Sequence, residues 1–129
     1  MEYNMDYKLR DSMLEFDPLF GDKENYDVAH FHDLDAETLE KMIELGFADP
    51  EETQNYSPSI AEFLQFMQSN SGFKAHGYVV SHERPDYRLT IEGLAGHATD
   101  FDDMQNFMYA FRQADEFTCE VGTQYAWYD

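Results

Sequence analysis

Cysteine and the basic residues, on which many protein functions depend, are scarce in this chain: it has 1 cysteine, and Lys and Arg together number 8 in 129 residues. With Cys119 alone, no intramolecular disulfide and no site built from several thiolates can form, which is typical of a reducing, cytoplasmic protein. Eight scattered cations do not supply the clustered Lys and Arg that phosphate contacts need, so direct nucleic-acid binding is not expected. No run of about 18 apolar residues is present, and no membrane span or membrane partner is predicted.

Acidic residues are abundant instead. Asp and Glu number 27, which gives a formal net charge of −19 and a sequence pI of about 4.2. Strong charge with few aromatic residues is typical of disorder, but here Phe, Tyr and Trp make up 16% and hydrophobic residues 43% of the chain. That composition provides a core, and the length is typical of one domain. We therefore expect a single acidic domain over residues 1–129.

Apolar periodicity predicts three helices, near 35–45, 59–69 and 100–113. The first can be capped by Asp35 and ended by Gly46. The second opens on a capping box of the S-x-x-E type, and Thr99 is the expected cap of the third. The apolar faces of these helices and the apolar positions of the predicted strands together predict eight buried anchors: Leu39, Ile43, Phe63, Met67, Leu89, Ile91, Phe107 and Phe111.

Alternating apolar and polar residues predict antiparallel strands at 73–82 and 86–93 and a last strand or strand pair at 117–128, with a loop over residues 93–96. Residues 1–32 show no sustained period. Apart from a turn at Pro18, Gly21 and Asp22, they are expected to be irregular and packed on the domain. The resulting fold class is α+β, with a small antiparallel sheet of three to four strands and about three helices on one face.

Catalytic and metal-binding patterns are weak. His30 and His32 alternate on an extended segment and could face one ion, but zinc needs three or four ligands and the other histidines are scattered. Asp100, Asp102 and Asp103 fit the first turn of a helix better than a calcium loop. Cys119 lies in an apolar alternating segment, where it packs as a small hydrophobe. We therefore predict no metal, no cofactor and no catalytic residue.

The abundance of Asp and Glu supports the leading functional hypothesis. Duplex DNA carries about one negative charge per 1.7 Å of axis, so a folded surface dense in carboxylates can occupy the cationic groove of a DNA-binding protein. The sequence thus predicts a non-enzymatic protein that binds and blocks a basic partner. Examples are a DNA-mimic inhibitor of restriction or CRISPR nucleases, of the kind mobile elements use, and an immunity protein of a nuclease. The predicted partner-binding residues are Asp33, Asp35, Glu37, Glu40, Glu44, Asp49, Glu51 and Glu52.

Two alternatives stay open. The first is a small enzyme or ligand-binding module that uses His30 or His32 with an aromatic wall of Tyr125, Trp127 and Tyr128. The second is a housekeeping protein of a high-salt organism, in which proteins in general have acidic surfaces. The two alternatives differ in what they require of the structure, because only the first needs a formed site.

Overall fold

A computed structural model describes residues 1–17 and 26–129. In chain order its elements are α1 (Tyr7–Ser12), β1 (Glu15–Phe16), β2 (Val28–Leu34), α2 (Ala36–Glu44), α3 (Ile60–Ser69), β3 (Phe73–Val80), β4 (Leu89–Gly96), α4 (Phe101–Phe111), β5 (Glu116–Glu120) and β6 (Thr123–Trp127). The strands form one antiparallel sheet in the order β1-β2-β3-β4-β6-β5. The α+β class is confirmed, but the described residues contain six strands and four helices, where three to four strands and about three helices were predicted.

Much of the difference comes from residues 1–32, which were predicted to be irregular. They hold α1, β1 and the start of β2, and Glu15 and Phe16 pair with His32 and Phe31. A two-residue strand is too short to show a period of its own, because only its pairing with a neighbour defines it. The predicted turn at Pro18, Gly21 and Asp22 lies outside the described residues.

The second correction concerns residues 93–96, which belong to β4 and not to a loop. Strand β4 has an irregular register, because Ile91 pairs with Gly77 and Gly93 pairs with His76. Glu92 is therefore an extra residue, a β-bulge that shifts the alternation by one. Both Ile91 and Leu94 can then face the core although they are three residues apart. Of the predicted strand or strand pair over 117–128, the structure contains the pair, β5 and β6.

The core lies between the sheet and helices α2, α3 and α4. Seven of the eight predicted anchors are buried, and Ile43 is half-buried against the same cluster. Aromatic rings pack throughout this core: Phe73 of β3 stacks on Phe107 of α4 at 5.1 Å between ring centroids and so joins the sheet to the helices, and Phe63 of α3 stacks on Phe111 of α4 at 5.7 Å within the helical layer. Such pairs add to the free energy of area burial itself.

The helix ends follow local rules. Asp35 accepts a 2.8 Å hydrogen bond from the Thr38 amide, and Gly46 follows α2 with a φ of +85°, which only glycine adopts without strain. The capping box at the start of α3 has both of its hydrogen bonds. Asp100 caps α4, one residue later than the predicted Thr99, and its carboxylate accepts from the Asp102 amide.

Helix α1 is attached to the sheet by Arg10, whose side chain is fully buried. Its guanidinium pairs with Asp11 at 2.8 Å, donates to the Tyr26 hydroxyl at 2.7 Å and to the Val80 carbonyl at 3.3 Å, and lies 4.5 Å from the centroid of the Tyr87 ring. A buried charge must be paired and hydrogen-bonded in this way. Among the described residues, no helix has the length and apolar character needed to cross a bilayer.

Candidate functional site

The face of the sheet opposite the three core helices holds a cleft of about 460 Å³. Alternation along the strands builds it: Ala29 and Phe31 of β2 point into the core, and His30 between them points to the other side. We call this feature the open-face cleft. Its lining includes His30, His32, His76, Glu92, Tyr125 and Trp127. From Asp17 to Trp127, the lining brings together residues that are up to 110 positions apart in the chain.

Two irregularities in strand pairing shape the open-face cleft. One is the bulge at Glu92. The other lies in β2, where Phe31 pairs with Gly77 but Leu34 pairs with Ala75, and Asp33 takes a φ of +55°. Left-handed backbone at a residue other than glycine is uncommon, and bulges redirect side chains near sites. Both bulges place polar side chains at the cleft.

Glu92 forms the floor of the cleft and is only 7% exposed. Its carboxylate accepts from the Trp127 indole at 3.0 Å and from the Gln54 amide at 3.5 Å, and it lies 3.3 Å from His30 Nδ1. The Tyr78 hydroxyl donates to Gln54 Oε1 at 2.7 Å, which orients the amide towards Glu92. The carboxylate is thus held in place by surrounding donors.

One wall of the cleft is a neutral aromatic pair. The imidazole of His76 stacks on the Tyr125 ring, with centroids 5.0 Å apart and planes 7° from parallel. Burial lowers the pKa of His76, and its Nε2 lies 3.1 Å from the Ala126 carbonyl, to which it can only donate. Burial raises the pKa of the Tyr125 hydroxyl, which stays protonated. This wall offers π-faces without a charge of its own.

The mouth of the cleft carries titratable groups. His32 Nδ1 lies 2.8 Å from Asp33 Oδ2, and this hydrogen bond raises the pKa of His32. Glu15, His32 and Asp33 each offer a ligand atom within 4.8 Å of the others, so they could contact a cation together. His30 is not part of this group and faces Glu92 instead. That His30 and His32 hold no zinc stays a prediction.

The predicted acidic residues divide into two sets. Seven carboxylates run along β2, α2 and the following loop, and all are exposed except the half-buried Asp49. The ion pairs that Lys and Arg form within the described residues engage Asp11 and Asp86 and none of these seven. We call this set the acidic ridge; it consists of Asp33, Asp35, Glu37, Glu40, Glu44, Asp49 and Glu51.

Glu52, the eighth predicted residue, is placed differently. It is half-buried and accepts from the Thr90 hydroxyl at 2.6 Å and from the Tyr3 hydroxyl at 3.0 Å. Burial raises its pKa. Since both of its oxygens are engaged within the chain, Glu52 is not part of the acidic ridge.

Sequence reasoning found some of the cleft and missed its centre. His30, His32, Tyr125 and Trp127 were named for the ligand-binding alternative, and the cleft unites them. Tyr128 was named with them but is buried on the core side, against Phe63. His76, Gln54 and Glu92 were missed, because a Glu that alternates with apolar residues in a strand resembles an ordinary solvated position.

No protein-family model, no curated protein and no solved structure matches this chain.

Proposed function

We propose that this protein is a non-enzymatic acidic interaction protein that binds and blocks a basic partner. The observation that supports the proposal is the acidic ridge: seven carboxylates follow one another along the chain, and no Lys or Arg of the described residues forms an ion pair with any of them. Asp33 lies 2.8 Å from His32, Asp35 accepts from the Thr38 amide and Glu40 accepts from the Gln68 amide, but none of these contacts comes from Lys or Arg. The ridge therefore remains available to cations from outside. A net charge of −19 extends their attraction over the whole molecule.

The spacing of the ridge suits a groove that binds phosphates. Glu37, Glu40 and Glu44 follow one face of α2 at intervals of ~4.5 and ~6 Å along its axis, from a rise of ~1.5 Å per residue. Duplex DNA presents about one charge per 1.7 Å of axis, counting both strands. The ridge is thus less dense than DNA, but three of its carboxylates are held at fixed spacing on a folded helix. A DNA-mimic inhibitor of a nuclease and an immunity protein against a nuclease toxin both require this property.

The test compares two variants of equal charge. In the first, Glu37, Glu40 and Glu44 of the ridge are replaced by Gln. In the second, the control, the same change is made at three other exposed positions: Glu83, Glu116 and Glu120. Both variants lose three negative charges, so only the location differs. Each protein is used to capture partners from a nucleic-acid-free lysate at low salt and at about 0.5 M salt, and affinities are then measured with the purified partner.

We expect a basic nuclease or DNA-binding protein to be captured at low salt and to lose activity when bound. Each exposed charge contributes roughly 0.2–1 kcal/mol, so the ridge variant should lose roughly ten- to a hundred-fold in affinity at low salt, chiefly through a slower on-rate. The melting temperature should be equal or higher, because repulsion is relieved. If both variants bind alike, or if nothing basic is captured and only salt stabilises the fold, the proposal is wrong and salt adaptation is favoured.

A ligand-binding module is the second candidate, and the open-face cleft favours it. A volume of about 460 Å³ lies within the range of small-molecule sites, and convergent polar groups on an aromatic lining are typical of them. His30 directs Nδ1 to Glu92, and its Nε2 has no hydrogen-bond partner among the described residues. Histidine and glutamate in this arrangement can position a ligand or accept a proton from it.

A further inference from the structure

We infer that the open-face cleft receives a guanidinium group, carried by an arginine side chain of the basic partner. This inference rests on the proposed function and deepens it, because it names the group that such a partner would insert. The cleft adjoins the acidic ridge through Asp33, which belongs to both. One partner could therefore contact the ridge with its basic surface and fill the cleft with one side chain.

Charge is the first argument. Glu92 supplies a carboxylate at the floor of the cleft: its Oε2 accepts from Trp127 and Gln54, whereas its Oε1 faces His30 Nδ1 at 3.3 Å and retains acceptor capacity. Asp17 and Asp33 supply two more carboxylates in the lining. Lys74 is the one lysine or arginine in the lining, as far as the described residues show. An anionic ligand would meet these carboxylates in a molecule whose net charge is already −19, whereas a cation is favoured.

Ring geometry is the second argument, and it distinguishes arginine from lysine. Trp127 and the stacked pair of His76 and Tyr125 are aromatic residues that line the cleft together with the Glu92 carboxylate. A guanidinium is planar, stacks on aromatic faces and donates in two directions, whereas an ammonium is a compact, strongly hydrated charge. The molecule already uses this chemistry internally: the Arg88 guanidinium lies 5.5 Å from the centroid of the Tyr78 ring and donates to the Tyr78 hydroxyl at 3.0 Å.

The binding assay follows the fluorescence of Trp127, the single tryptophan of the chain. Acetyl-arginine amide is titrated, and acetyl-citrulline amide, of nearly the same shape but neutral, is the matched ligand. We expect a saturable change with the arginine compound and at least roughly ten-fold weaker binding of citrulline, because charge-assisted hydrogen bonds are the strong ones. Equal responses to the two compounds, or no response to either, would overturn the inference.

Free arginine separates the two sources of a guanidinium. A cleft made for the free amino acid would bind it more tightly than the capped amide, because the free α-carboxylate and α-amine would have their own partners. A cleft made for a side chain should bind the capped amide at least as well, since the α-ammonium and α-carboxylate of free arginine cancel in charge and would have no partners of their own there. Tighter binding of the free amino acid would contradict the partner side chain as the occupant.

Two variants locate the site. Glu92→Gln keeps the shape of the floor and removes its charge, so arginine-amide binding should weaken roughly ten-fold or more; Glu120→Gln, an equal charge loss at an exposed position, should have little effect. Ala95→Leu adds bulk to the cleft lining and leaves the hydrogen bonds of Glu92 in place, so it should abolish binding. Thermal melts establish that each variant is folded. Unchanged binding in a folded Ala95→Leu protein would contradict the assignment.

The ridge variant makes the two proposals separable. Arginine amide should bind the Glu37/Glu40/Glu44→Gln protein nearly as well as the native protein, because none of these residues lines the cleft. If a basic partner is captured through the ridge while arginine amide does not bind, the cleft inference fails and the proposed function stands. If arginine amide binds in the cleft but no basic partner is captured, the proposed function fails.

Discussion

Arg10 offers the sharpest test of how this acidic chain is held together. Its side chain is fully buried and bonds to Asp11, the Tyr26 hydroxyl and the Val80 carbonyl. The change Arg10→Ala would leave Asp11, whose side chain is only 10% exposed, without its cation. Removing one member of a buried pair typically costs about 3–5 kcal/mol. The free energy of unfolding should fall by that amount, and Tm should fall by roughly 10–20 °C for a domain of this size.

The assay is urea denaturation followed by Trp127 fluorescence and by circular dichroism. Arg84→Ala is the matched control, since Arg84 pairs with Asp86 at a similar distance of 2.7 Å but the two side chains are 39% and 42% exposed. An exposed pair of this kind contributes about 0–1 kcal/mol. Equal losses in the two variants, or a loss below about 1 kcal/mol for Arg10→Ala, would refute the reasoning that burial of Arg10 attaches α1 to the sheet.

Two further predictions concern the open-face cleft. Because burial lowers the pKa of His76 below its usual 6.5, the unfolded state takes up a proton first as the pH falls. The free energy of unfolding therefore decreases as the pH falls below about 6.5. In His76→Phe, the difference between the urea midpoints measured at pH 7.5 and pH 5.5 should be smaller than in the native protein. An unchanged difference would contradict this prediction. Gly93→Ala should lower the free energy of unfolding by about 1–3 kcal/mol or more, because the added Cβ would lie 1.8 Å from the Ala126 carbonyl oxygen. A thermal melt like that of the native protein would contradict this prediction and show that β4 and β6 can separate freely.

Helices α2, α3 and α4 could be predicted from the sequence because their signals are local. Asp35 reaches the Thr38 amide, three residues on, and Gly46 ends α2 through hydrogen bonds to its last turn. Ser59 and Glu62 bond reciprocally at the start of α3. Every one of these contacts joins residues within one or two turns, so the order of residues alone specifies them. The exposed carboxylates of the ridge followed from the same helical period.

The sheet depended on pairing between distant segments. Strand β1 exists only because Glu15 and Phe16 meet His32 and Phe31. The bulge at Glu92 arises where β3 and β4 change register, and no local pattern marks such a change. Residues 93–96 therefore resembled a glycine loop, although the backbones of neighbouring strands approach there so closely that a Cβ would collide.

The amino-acid sequence by itself determined the charge, helices α2, α3 and α4 and the apolar faces that form the core, because composition and short-range periodicity do not depend on the rest of the chain. Tertiary structure alone decided which polar residues would be buried. Arg10 and Glu92 resemble ordinary solvated charges in the sequence, yet one is enclosed by α1 and the sheet and the other by strands and the Gln54 loop. Burial depends on the neighbours that surround a residue, and for Arg10 those neighbours include Tyr87, 77 positions away in the chain.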